Sequence, residues 1–199
     1  MKPSLLFTCF TLCATVSSAQ WAGASAATVA YVEGDVYVDA QQVQQPDFPI
    51  KPGSVVRTEK GRAEVHFGRN DAIFLGANSS IRISDNAGIS PAGLEILSGS
   101  AVVISGEIGP AVSCRGLVHL SDAGVFRFDR HQVVDENFCK VRVYKGAAGA
   151  PMLSFVWVLT PGKTVDLGSC GDFTPRDEFN IDDADDLTRW SRERAGVRP

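Results

Sequence analysis

The chain has 199 residues, 19 basic and 23 acidic, for a formal net charge of −4. Hydrophobic residues at 44% and charged residues at 21% supply enough apolar surface for a packed core and exclude a disordered or collagen-like chain. The mildly acidic balance offers no electrostatic footprint for DNA or RNA, and the length fits one domain.

Residues 1–19, MKPSLLFTCFTLCATVSSA, read as a signal peptide. Lys2 forms the basic start, Leu5 to Val16 an uncharged stretch, and Ser17-Ser18-Ala19 the small residues before a cut. The stretch is too short for a membrane span, which needs roughly 20 residues. Cleavage after Ala19 would remove Cys9 and Cys13 and leave Cys114, Cys139 and Cys170. In an oxidising compartment one pair of these closes and one thiol is left over. The favoured pair is Cys139 with Cys170, because each borders a strand of the closing part of the domain. The expected location is periplasmic or secreted, with no transmembrane segment after cleavage. Residues 20–27 form a short linker.

From Thr28 to about residue 174 the chain is short β runs broken by Gly, Pro, Asn and Asp. Arg62 to Phe67 alternates strictly, which puts Ala63, Val65 and Phe67 on the core face and Arg62, Glu64 and His66 toward water. Ile81 to Ile83, Val125 to Asp129 and Val141 to Tyr144 alternate in a similar way. Ala101 to Ile104 and Phe155 to Leu159 are continuous apolar runs, the pattern of strands buried on both sides. Ile50-Lys51-Pro52-Gly53-Ser54-Val55-Val56 matches Leu159-Thr160-Pro161-Gly162-Lys163-Thr164-Val165, and Pro then Gly suits the central positions of a type II turn. These features predict an all-β fold: one β-sandwich or jelly-roll-like domain, or a wound β-solenoid, of about ten to thirteen short strands.

Residues 175–199 change character. Six acids lie between Asp177 and Asp186, and Arg189, Arg192, Arg194 and Arg198 follow. Leu187 and Trp190 share a face of a short C-terminal helix from about 184 to 195, with an i,i+4 pair expected between Asp185 and Arg189. The bland reading is a solvated tail. The sharper one is a docking segment in which Trp190, Arg189 and Arg192 meet a partner.

Catalytic chemistry is thin. His66, His119 and His131 stand apart, and no H-x-x-x-H, C-x-x-C, G-x-S-x-G, P-loop or dinucleotide-binding glycine motif occurs. Cys114 beside Arg115 has a cation that would lower a thiol pKa, but a buried or disulfide-bonded Cys is the commoner case. Asn180 to Asp185 resembles a calcium loop only faintly, because Ala184 has no ligand oxygen in its side chain. No catalytic, cofactor-binding or metal residue is therefore assigned, and the chain is not expected to be an enzyme.

The run from about Val29 to Leu167 resembles the FecR-type domain of bacterial envelope proteins. The resemblance rests on Val32-Glu33-Gly34-Asp35-Val36-Tyr37-Val38, Ile50 to Thr58, Gly61 to Phe67, Ile73 to Ile83, Leu94 to Ala101, Gly124 to Asp129 and Val141 to Gly146, in that order. Leu187 to Arg194 looks like a tail found on secreted members of the family. The resemblance implies an all-β, non-enzymatic module. In the family it is the periplasmic half of a transmembrane regulator that relays ferric-siderophore signals to a sigma factor. This chain departs from that plan, with an export signal where the cytoplasmic anti-sigma segment should stand. The expectation is a binding or structural module for an envelope protein or a cell-surface glycan. A sensory partner of a membrane signalling system is the alternative, and a hydrolase of envelope polymer a more remote one.

Overall fold

The computed structural model describes residues 27–67, 70–84, 93–107, 109–133, 136–151, 155–168, 173–176 and 178–197. The stretch 1–19 read as a signal peptide, nearly all of the stretch 20–27 read as a linker, and Cys170 lie outside the described residues. The fold is all-β with one short C-terminal helix. No helix among the described residues is long and apolar enough to cross a membrane.

Fifteen strands appear among the described residues, two more than the upper expectation. The excess comes from short pairings such as β2 (Gln41–Gln42) and β3 (Phe48–Ile50), which edge the long β1 (Ala27–Val38). β1 pairs along its length with β4 (Val55–Phe67). β4 in turn carries β5 (Asp71–Leu75) and β6 (Ser80–Ile83) on its other edge. Both meet β7 (Leu94–Ser105), the hub of the sheet. From β7 one branch runs through β8 (Ala111–Cys114), β9 (Gly116–Leu120), β12 (Ala148–Pro151) and β13 (Val156–Leu159). The other runs through β10 (Gly124–Val133), β11 (Glu136–Lys145), β14 (Thr164–Leu167) and β15 (Phe173–Arg176). Every ladder among the described residues is antiparallel except the two-residue contact of β7 with β8, and all fifteen strands are linked into one sheet.

Alternation explains the main core. Ala63, Val65 and Phe67 of β4, Ala101 and Val103 of β7, and Phe126 and Phe128 of β10 lie in one buried cluster that draws on both ends of the sheet. β7 also buries its opposite face, because Val102 and Ile104 belong to a second cluster beneath the C-terminal segment. The reading of Ala101 to Ile104 as a doubly buried strand therefore holds. The same reading of Phe155 to Leu159 does not. β13 is the last strand of its branch, and Phe155, Val156, Trp157 and Val158 stand 52%, 59%, 38% and 62% exposed. A continuous apolar run reports the demand for burial on both faces, not the presence of neighbours to meet it.

The disulfide also departs from expectation. Cys139 bonds Cys114, not Cys170, with a Cα–Cα separation of 5.8 Å and both residues fully buried. Cys114 ends β8 and Cys139 lies in β11, strands separated by β7 and β10 in the sheet order. The bridge therefore spans the core between strands that are not neighbours, which closeness to the closing strands in sequence could not reveal. It also removes Cys114 as a free thiol. Closing a loop with a sequence separation of 25 contributes about 3–4 kcal/mol in the chain-entropy picture.

The two Pro-Gly elements adopt one geometry. Ser54 N–H donates to the Lys51 carbonyl and Lys163 N–H to the Thr160 carbonyl, each at 3.1 Å. Gly53 and Gly162 sit at φ +86° and +83°. Each glycine N–H then donates to a neighbouring strand, Gly53 to Ile83 and Gly162 to Val143.

At Gly53 the space around an added Cβ is empty, so only the positive φ opposes substitution. At Gly99, φ +75°, a Cβ would also stand 2.6 Å from Ser79 Cα. Gly53→Val should cost about 1–3 kcal/mol, and Gly99→Ala should cost more despite its smaller side chain. Urea unfolding of the two variants checks the order; Gly53→Val melting like the parent would remove the turn assignment.

Candidate functional site

The outward face of the sheet is where sequence and structure diverge most. Strand alternation places Arg127 and Asp129 on the same face of β10 and opposite the core phenylalanines. Arg142 of β11 is the direct cross-strand partner of Arg127. Two like charges side by side on a sheet repel, and Asp129 resolves this by binding both. Arg127 Nε donates to its Oδ1 at 2.9 Å and Oδ2 at 3.0 Å, and Arg142 Nη1 donates to Oδ2 at 2.8 Å. Ser100, the residue across the ladder on β7, donates from Oγ to Oδ1 at 2.6 Å. Both Arg127 and Asp129 are buried.

Above this face lies α1 (Asp186–Arg194). Asp185 is its N-cap, accepting from Thr188 N–H at 3.0 Å. The same carboxylate receives Arg127 Nη1, which also donates to Thr188 Oγ1 at 3.0 Å. One guanidinium thus ties β10 to the first turn of the helix. The other end is tied by Arg194, whose Nε donates to Glu64 of β4. Glu64 accepts a further contact from His66 Nε2 at 2.6 Å. Glu64 is therefore buried rather than facing water, because the helix covers it; His66 does face water.

Between the two ties sits Trp190. Its ring meets Phe74 of β5 edge-on at 5.3 Å and Tyr31 of β1 at 5.9 Å. The Arg62 guanidinium lies 4.5 Å over the indole, and Arg194 lies 4.2 Å over Tyr31. Trp190 is 9% exposed and belongs to the second core with Val102, Ile104 and Val125. It docks on its own sheet and faces inward. Arg189 is exposed and pairs with Asp186, not with Asp185, whose carboxylate is turned inward as the cap. Arg192 stacks 4.7 Å from the Tyr144 ring centre and donates to the Ile181 carbonyl at 3.3 Å. The three residues expected to form a docking face are thus divided among an inward anchor, an exposed ion pair and a stacking contact.

Electrostatics follow from this geometry. Burial penalises the charge on Asp185, but the Thr188 N–H and the Arg127 guanidinium outweigh it and hold the carboxyl below its ordinary value. Burial likewise disfavours a charged Arg127, and the carboxylates of Asp129 and Asp185 more than compensate. A cleft of about 620 Å³ opens beside the cluster, bordered by Ser100, His131, Arg142 and Asp183. Among the described residues no group of three or more His, Cys, Asp or Glu is placed to hold a metal ion. The residues that organise this site, Arg127, Asp129, Glu64 and Asp185, were not singled out from the sequence. The available signal was opposite charges two apart on one strand, at positions 127 and 129, facing a second arginine at 142.

No family model matches the chain, and no curated protein matches it. Two crystal structures of candidate anti-sigma factors from Parabacteroides distasonis ATCC 8503 share the fold. One has a TM-score of 0.52 at 18% identity over 69% of this chain and 64% of its own. The other has a TM-score of 0.50 at 18% identity over 62% of this chain and 59% of its own. The likeness spans less than two thirds of either neighbour and concerns the fold.

Replacing Trp190 by Ala should cost about 3 kcal/mol, the lower end for a buried aromatic, because the cavity opens at a helix that can partly collapse. Chemical unfolding measures it. A change within about 0.5 kcal/mol, the range of ordinary surface substitutions, would show the ring to be unpacked. The depressed Asp185 carboxyl adds stability that is fully present above about pH 4, its ordinary unfolded value, and is lost as pH falls through the lower folded value. Asp185→Asn should therefore melt below the parent at neutral pH, with the gap closing as pH drops under about 4. A gap unchanged by acid would rule out the charge of Asp185 as its source.

Proposed function

We propose that the chain is a non-catalytic, exported, FecR-like binding module that acts on a protein partner in the bacterial envelope. The observation that carries this reading is the state of the buried charges. Arg127, Arg142, Asp129, Asp185 and Ser100 bind one another and hold the C-terminal helix on the sheet. Groups committed to a structural clamp are not poised for proton transfer or nucleophilic attack, which require a titratable group within reach of a reacting atom. The leader-like residues 1–19 support export, and the resemblance of the sequence motifs between Val29 and Leu167 to the FecR-type domain supports a module that works by contact.

A second reading, a sensory or regulatory subunit of a membrane signalling system, is favoured by the likeness to the candidate anti-sigma factors. In that case the envelope partner is the signalling protein itself.

Photo-crosslinking from exposed positions of the full chain in its native cells tests the proposal. The expected result is a discrete adduct with one envelope protein, competed away by excess unlabelled chain. Deleting the gene should alter a sigma-factor-dependent reporter if the second reading holds. Adducts with glycan alone would redirect the binding assignment. Saturable cleavage of envelope polymer, abolished by Asp129→Asn without loss of fold, would replace it with the hydrolase reading.

A further inference from the structure

The run Phe155-Val156-Trp157-Val158-Leu159 has the pattern of a strand buried on both faces, yet four of its five residues are exposed. It is also a sheet edge: among the described residues β13 pairs with β12 on one side and with no strand on the other. Native proteins blunt such edges with charge, Pro or a bulge. β15, at the end of the opposite branch, includes Pro175, which has no N–H to offer. β13 has no such protection. The whole segment from Gly146 to Gly162 carries no charged residue, Lys145 lying just before it and Lys163 just after.

We propose that β13 is a homodimerisation strand, pairing antiparallel with β13 of a second copy across a two-fold axis. Three observations select a second copy. The run is nearly palindromic about Trp157, so an axis there sets Val156 opposite Val158, Trp157 opposite Trp157 and Phe155 opposite Leu159 of the other copy. Each is an aromatic or aliphatic pair of the kind that stabilises antiparallel ladders. An isologous interface requires this self-complementarity, and antiparallel pairing of a strand with itself meets it in the backbone as well. The segment is uncharged, so two copies of an acidic chain meet without local repulsion. A groove of about 500 Å³, lined also by Thr160, Lys163 and Thr164, leaves room beside the strand.

The test is sedimentation of the full chain, with its native N-terminal processing, over a range of concentrations. The parent should move from monomer to twice the chain mass, and those amides of Val156 to Val158 that point away from β12 should gain hydrogen-exchange protection in step. Val158→Lys places a charge on the pairing strand at an already exposed position. It should remain monomeric at every concentration while melting like the parent. Leu117→Lys alters another exposed apolar residue, away from the edge, and should still dimerise. A parent that stays monomeric throughout overturns the proposal, whether β13 then serves a different protein or none. So does a Val158→Lys variant that dimerises like the parent, or a Leu117→Lys variant that loses the dimer equally, since that would mark general stickiness rather than strand pairing.

Discussion

A buried arginine needs carboxylates on more than one side, and Arg127 finds one in the sheet and one on the helix. Asp129 supplies the first and Asp185 the second. A guanidinium removed from water without partners would be strongly destabilising. The helix must therefore sit where Asp185 can reach β10, and the rest of the outer face is arranged around that demand. Asp185 serves twice, as N-cap and as counter-ion, so the start of α1 and its position over the sheet are set by the same side chain.

Once the helix is placed there, the outer face becomes a second core. Phe74, Val102, Ile104 and Val125 gain a cover in Trp190 and Leu187. Arg62 and Arg194 lie over aromatic rings with their charge near Glu33 and Glu64, so each contributes apolar contact and an ion pair at once. The C-terminal segment is a structural layer of the domain, which is why its tryptophan is not available outward. The longest exposed apolar run lies on β13 and the residue before it.

Elements read from local pattern were legible where one neighbour shell decides the outcome. The core face of β4, the doubly buried stretch of β7, the paired Pro-Gly turns and the short terminal helix follow from periodicity and turn chemistry. Readings failed where the answer depends on a distant segment. Glu64 looks solvent-facing by alternation, yet Arg194 covers it from 130 residues away. Cys139 looks nearest to the closing strands, yet its partner is on β8. Phe155 to Leu159 looks like a central strand, yet among the described residues β13 pairs with β12 alone.

The sequence by itself determined the all-β class, the inward face of the main strands, the turns that require glycine and the presence of a terminal helix, because these depend on side-chain spacing and backbone freedom within a few residues. Tertiary structure alone decided which face the helix covers, which cysteines meet, which charges are buried and which strand is left at the edge. Those outcomes depend on which segments become neighbours, and a one-dimensional pattern states what each segment needs without saying what will stand beside it.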